Sequence, residues 1–384
     1  MAKDRAGIDA QINQRFAREV KARVNAYFED NGLSRHANAA MVAKTVTLVT
    51  LYFGAYALIL GSSLSWPWLW LLCLAMGVGM AGIGFSVIHD ALHGAYAASP
   101  WVNRLIGYLF EALGANGYIW KIKHNGVHHT YPNIKGYDED LEALPLIRLS
   151  PHTPHRPIHR WQHVFAPLTY SLTTINWVLV GDYEIFFRRD VGPYRDRKHP
   201  RSQWISLLLA KTLYYLAMIV APLLLLDITW WQFLIGFLTL HLSAGLILAA
   251  VFQPAHLVEP TEHHGPDGAS ALKTAWMLHQ MRTTCNFAPG NRLLSWYVGG
   301  LNYQIEHHLF PRICHVHYRH LSPIVEQVAR KHGVPYHSYP TLWQAIRSHY
   351  RMLKRLGDPG GQPASAVARA GTVAGSSVPG APLA

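Results

Sequence analysis

His124-Asn125-Gly126-Val127-His128-His129 places three imidazoles within six residues of a 384-residue chain. Side chains four apart stand one above the other on an α-helix, so the spacing predicts that His124 and His128 share a face. At 3.6 residues per turn, His129 should point roughly 100° away from His128. Such a group can hold one metal ion and reach towards a second. Two other stretches repeat the chemistry: His89-Asp90-Ala91-Leu92-His93 and Gln304-Ile305-Glu306-His307-His308. Imidazole binds zinc, copper, iron and nickel alike, so the residue types suit two transition-metal ions with open positions without choosing the metal. The sequence has no HExxH, no Glu-x-x-His, no Gly-rich phosphate loop and no GxSxG, which removes zinc proteases, carboxylate-bridged bundles, nucleotide enzymes and serine hydrolases. A histidine-bound ion pair beside a membrane points to oxygen chemistry on a lipid.

That reading requires the three stretches to meet. Half of the chain is hydrophobic and 15% is charged. The apolar residues gather into four runs, at 41–60, 66–88, 204–226 and 230–252, each near the roughly 20 residues that cross a bilayer. Thirteen tryptophans and nineteen tyrosines suit a chain with two membrane–water boundaries. The second run delivers His89 at its end, and its Gly79, Gly82 and Gly84 favour close helix packing in lipid. The connections 61–65 and 227–229 hold no Lys or Arg, whereas basic residues crowd the other polar regions. The positive-inside rule then puts both termini and all three histidine stretches on the cytoplasmic side. The expected fold is an all-α integral membrane protein: four transmembrane helices as two hairpins, under a cytosolic helical cap that holds the histidine site.

Around this core, residues 1–40 read as a polar, partly helical cytoplasmic arm, 41–356 as the membrane domain, and 357–384 as a disordered tail rich in Gly, Pro, Ala and Ser. Residues 101–119 read as interfacial or re-entrant, and 161–189 as amphipathic and lying on the membrane surface. The net charge of +12 comes without a basic stripe interleaved with aromatics, so no nucleic-acid partner is expected. Cys73, Cys285 and Cys314 are too scattered for disulfides or a CxxC zinc site. Asp4, Asp9, Glu19, Glu29 and Asp30 argue against a cleaved signal or presequence.

Taken together, the three stretches resemble the boxes HxxxH, HxxxHH and (H/Q)xxHH of the membrane fatty acid desaturases. The chain is most similar to the front-end type, whose third box begins with Gln, as Gln304 does here. His129-Thr130-Tyr131, Arg148-Leu149-Ser150-Pro151, Gly299-Gly300-Leu301-Asn302 and Leu309-Phe310-Pro311 carry the likeness over residues 40–340. The resemblance implies eight imidazoles around two irons: His89, His93, His124, His128, His129, His307 and His308 from the boxes, and His256 just after the fourth run. It leaves Gln304 open as an iron ligand, a partner through water, or a hydrogen-bonding neighbour of a ligand. Asp90, Asp138, Asp140 and Glu306 are the carboxylates placed to accept ring N–H protons and offset the charge.

The implied reaction consumes O2 and electrons, and leaves a cis double bond in a long-chain acyl-CoA or acyl-lipid, plus water. The acyl chain must lie in an apolar tunnel, with residues 101–119 and 161–189 at its entrance. No haem-binding His-Pro-Gly-Gly is present, so electrons come from a separate ferredoxin or b-type cytochrome suited to a basic face. A bacterial inner membrane is the expected site, ahead of the endoplasmic reticulum. The rivals are a hydroxylase or acetylenase on the same core, and a histidine-rich metal transporter. Transport predicts ionisable residues lining a path through the spans, and only His241 lies deep in one. His152, His155, His159 and His163 read as surface histidines, as do His263 and His264; His241 reads as packing or tunnel lining, and His315 and His317 as structural or as supports behind the ligands.

Overall fold

The computed structural model describes residues 2–142 and 146–360, with side chains from residue 7 onwards except at 271. Most of the tail assigned to 357–384 therefore lies outside the described residues. Among the described residues, four helices are long and apolar enough to cross a membrane: Ala39–Gly61, Trp66–Leu92, Arg201–Leu225 and Trp230–His256. Each begins or ends beyond the apolar run that announces it. The second and fourth carry His89 and His256 in their last turns.

The second and fourth spans run side by side in the same direction. Trp70 donates to Thr239. A Cβ at Gly77 would meet Ser243 and Leu240, and one at Gly84 would approach Leu248. The parallel register brings His89 and His256 to the same end of the molecule. Gly79 and Gly82 do admit a neighbouring helix, since their Cβ positions press on Tyr52 and Leu48 of the first span. The tightest approach is nevertheless at Gly77, outside the glycine group singled out from sequence.

The two segments expected at the membrane surface fold back between the spans. Residues 101–119 form three short helices (Pro100–Gly107, Leu109–Ala112 and Gly117–Trp120). The later segment is a pair, Pro157–Ser171 and Thr173–Phe187, bent by 54°. The bend packs on the fourth span at Gly245, where any Cβ would strike the Ser171 carbonyl. Its outer face leaves Trp161, Val164, Leu168 and Phe187 exposed, an apolar edge of the kind that sits in lipid. Lys211 of the third span ties both segments down. Its ammonium donates to the carbonyls of Gly114, Trp177 and Val178 and to Asp182.

Residues 1–40 do not stand apart as an arm. Helix Ala2–Asp30 buries Phe16, Val20, Val24 and Phe28 against Met277, Leu278, Tyr318 and Leu321. Apolar residues four apart supply one continuous stripe, and that stripe completes the core of the polar half of the protein.

Candidate metal centre

His89 ends a π-helical stretch, Ile83–Ile88, and His93 follows one α-turn later, so their rings lie 4.7 Å apart as the four-residue spacing predicts. In the middle stretch His124 and His128 share a face as expected, their rings stacked 5.3 Å apart, but His129 departs from its expected direction. Lys121–His128 is a π-helix, in which an amide bonds five residues back instead of four. The His129 amide donates to the His124 carbonyl at 2.9 Å. Residues i and i+5 then come into line, and His129 Nε2 faces His124 Nε2 at 3.2 Å instead of pointing away.

The third stretch, Gln304–Leu309, is a short helix held from behind. Gly299 and Gly300 both adopt left-handed φ (62° and 65°), and a Cβ at Gly299 would strike the Phe85 carbonyl of the second span. Only glycine allows the loop to approach so closely. Asn286, from the two-residue parallel pairing of Asn286–Phe287 with Ser338–Tyr339, accepts from the Ile305 amide and donates to Glu306.

All eight imidazoles converge. The possible ligand atoms of His89, His93, His124 and His307 lie within 4.8 Å of one another, as do those of His128, His256 and His308. His129 forms a third such group with His307 and His308, and so stands between the two. Every one of these rings is buried. The Nε2 atoms of His89, His93, His307 and His308 have no hydrogen-bond partner, which is costly for a buried polar atom.

The far sides of several rings are anchored. His256 Nδ1 donates to the Thr283 carbonyl at 3.1 Å, and His308 Nδ1 to Gln280 at 2.8 Å. His307 Nδ1 lies 3.3 Å from the Tyr318 hydroxyl. His128 Nδ1 sits 3.2 Å from both oxygens of Asp138. Nδ1 of both His128 and His256 is committed as a donor, and their Nε2 atoms face each other at 3.3 Å. Two ring nitrogens that close either share a proton or hold a metal ion in common. The donor set fits a metal pair.

Burial and mutual repulsion hold His93, His124, His129, His307 and His308 well below the usual imidazole range, leaving them neutral and able to bind metal. His128 is the exception. Burial works against its charged form, but Asp138 outweighs it and raises the ring.

The expected carboxylates divide. Asp138 accepts from His128 and from the amides of Asn133 and Asp140. Asp140 lies 3.5 Å from the same ring but is 52% exposed. Asp90 does not turn to His89; it accepts from His315 Nδ1 and the His315 amide, and Lys44 contacts that ring from the other side. Glu306 points away from the imidazoles and accepts from Asn286 and Tyr336. Gln304 places its Nε2 2.9 Å from His256 Nε2, and its buried Oε1 has no partner. Sequence reasoning assigned no role to Gln280, Thr283 or Tyr318, which touch the cluster from outside the three histidine stretches.

Two surface assignments are corrected. His263 is buried, enclosed by the loop that follows the fourth span. His159 is buried too, its Nδ1 accepting from the Arg156 amide to start the helix. Among the described residues, His152, His155, His159 and His163 form no group within ligand distance.

Beside His89 opens an apolar cavity walled by Met80 and Leu248 of the second and fourth spans, Phe110 and Leu113 of the first folded-back segment, and Trp177 of the second. The fatty acid desaturase family model matches residues 64–340, spanning every one of these elements. The chain belongs to that family. It is 36% identical over 345 residues to the sn-1 linoleoyl-lipid 6-desaturase of Synechocystis sp., covering 89% of this chain and 95% of that protein. The likeness to the enzyme of the same name from Arthrospira platensis is also 36%, over 89% of this chain and 92% of that one. An acyl-lipid (8-3)-desaturase of Physcomitrium patens is 32% identical over 90% of this chain and 72% of its own length. The protein is thus a fatty acyl desaturase, an oxidoreductase whose membrane helices and histidine groups make one unit.

Proposed function

We propose that the eight imidazoles hold two iron ions and that the desaturase acts on an acyl-lipid with front-end regioselectivity. His89, His93, His124 and His307 would hold one ion, and His128, His256 and His308 the other. His129 lies close enough to the second set to complete it. The observation that carries the reading is the convergence of eight buried imidazoles into groups within ligand distance, with the Nε2 atoms of His89, His93, His307 and His308 left without a partner. Iron supplies, with O2 and electrons from an external donor, the oxidising power to take two hydrogens from adjacent methylenes. The chain's own part is positioning. Neutral buried rings aim their lone pairs inward, and the apolar cavity brings an acyl carbon pair beside His89 while excluding water. Names of the relatives support an acyl-lipid over an acyl-CoA, and Gln304 stands where front-end enzymes carry Gln.

The same reading takes 41–356 as one membrane domain with its spans in two hairpins, and puts both termini and the metal pocket on the cytoplasmic side of a bacterial inner membrane. The lack of basic residues in 62–65 and 227–229 supports that orientation. A ferredoxin or b-type cytochrome would supply the electrons.

Expression in a host with simple lipids, with and without polyunsaturated precursors, tests the proposal. Mass spectrometry should find a new cis double bond on the carboxyl side of an existing one. His128→Ala should abolish it and most bound iron, while His155→Ala should retain both. A hydroxyl or triple bond in the product would replace desaturation by the rival chemistry. Metal flux without any lipid product would point to transport.

A further inference from the structure

The fourth span carries a histidine that the metal centre does not use. His241 is fully buried fifteen residues before His256, roughly 22 Å along the helix. A polar ring at that depth calls for a function or a satisfied network. Here the network is closed. The Tyr214 hydroxyl donates to His241 Nε2 at 2.9 Å, and His241 Nδ1 donates to Thr174 Oγ1 at 3.1 Å. Thr174 donates in turn to the His241 carbonyl at 2.8 Å. Each proton has one acceptor, so each side chain is held in one orientation.

This cluster stands between two apolar cavities. The first, beside His89, extends down the second span to Met80 and includes Thr174. The second begins one turn further out, at Met76, and continues past Cys73, Phe237 and Leu240. Tyr214 packs in one core with Met80 of the first cavity and with Met76 and Leu240 of the second. Its ring lies so close to Gly114 that a Cβ there would come within 2.8 Å of it, and Leu113 and Ala115 on either side of that glycine line the first cavity. On the other side, the His241 ring packs 4.5 Å from Phe237 in the wall of the second. The methionines along the divide are unbranched and can yield. The hydrogen-bonded cluster cannot yield without losing its bonds.

We infer that Tyr214, braced by His241 and Thr174, is the stop against which the methyl end of the acyl chain abuts, and that it sets the longest chain this desaturase accepts. The inference rests on the first cavity holding the acyl chain. Taking the stop away joins the two cavities and adds at least one helical turn of depth, ~5 Å, room for several more carbons.

The test supplies fatty acids of stepped chain length to a host expressing the full-length enzyme and measures the desaturated fraction at each length. Tyr214→Ala should move the upper limit of that profile to longer chains, and Tyr214→Phe, which keeps the ring, should move it less. Cys73→Phe fills only the outer cavity. Alone it should leave the wild-type profile unchanged, and combined with Tyr214→Ala it should cancel the extension. An unchanged limit in an accumulating, active Tyr214→Ala enzyme would overturn the inference. So would a shortened limit in Cys73→Phe, which decides the matter even if the alanine variant does not accumulate. Absence of any double-bond product from the wild type, at every length, would instead count against the function on which the inference rests.

Discussion

His129 Nε2 lies 3.2 Å from His124 Nε2 across five residues of π-helix. An α-helix would have turned one of the two rings out of the pocket. The π-turn brings all three imidazoles of the stretch to one side, and the His129 ring also lies 4.6 Å from His307 and 4.4 Å from His308. It therefore touches both proposed ligand sets, whereas His93 belongs to one.

Iron counting separates these positions. His93→Ala should lower bound iron from two per chain towards one, and His129→Ala should take it lower still, because both sets lose a neighbour. Activity should fall to background in both. Elemental analysis of the purified variants reads the difference; equal iron loss in the two would place His129 in one set only.

Asp138 fixes the His128 ring from behind, with both carboxylate oxygens 3.2 Å from Nδ1. Asp138→Asn should weaken iron retention by about 10–100-fold, the usual cost of removing a carboxylate that orients a metal-bound histidine. Asp140→Asn should cost far less, since that carboxylate is 52% exposed and 3.5 Å away and water screens it. Chelator competition on the two variants measures the ratio.

The spans and the three histidine groups were legible because long apolar runs and repeated spacings survive any local detail. What failed was the assumption of a uniform helical period: nothing in Lys121–His128 announces a π-turn. Asp90 illustrates a second limit. Adjacency to His89 in sequence means about 100° of rotation on a helix, and the carboxylate meets His315 instead. Gln280, Thr283 and Tyr318 reach the cluster from distant segments, and no spacing rule connects them to it. The first helix was legible in principle. Its stripe of Phe16, Val20, Val24 and Phe28 was masked by the many charges on its other faces. His263, between Glu262 and His264, was misjudged for the same reason.

Glu306 carries a pH signature. Burial pushes its carboxyl up to about 7, and the hydrogen bonds from Asn286 and Tyr336 offset only part of that rise. The folded chain therefore holds a proton that the unfolded chain releases near its ordinary value of 4.5. The resulting stabilisation is fully present below that value and is lost as pH rises through about 7. Glu306→Gln removes the titration. The difference in melting temperature between wild type and variant in detergent should drift against the wild type as pH rises across that window. Taking the difference cancels the pocket imidazoles, of which those held below their usual range change in the opposite sense.

Lys211 offers the sharpest test of how the cavity walls are held. Its ammonium and the Asp182 carboxylate are 2.8 Å apart and almost wholly buried, within the third span and the folded-back segment. Removing one member of a buried pair strands the other charge and costs about 3–5 kcal/mol, while removing both can approach neutrality. Lys211→Met should therefore collapse accumulation of the protein, and Lys211→Met with Asp182→Asn should recover part of it. Recovery should stop short of wild type, because the carbonyls of Gly114, Trp177 and Val178 still lose their shared donor. Those carbonyls belong to the segments that contribute Leu113, Trp177 and Val178 to the cavity. The double variant should accordingly accumulate better than it desaturates. Equal recovery of protein level and of product per enzyme would show that the anchor serves folding alone.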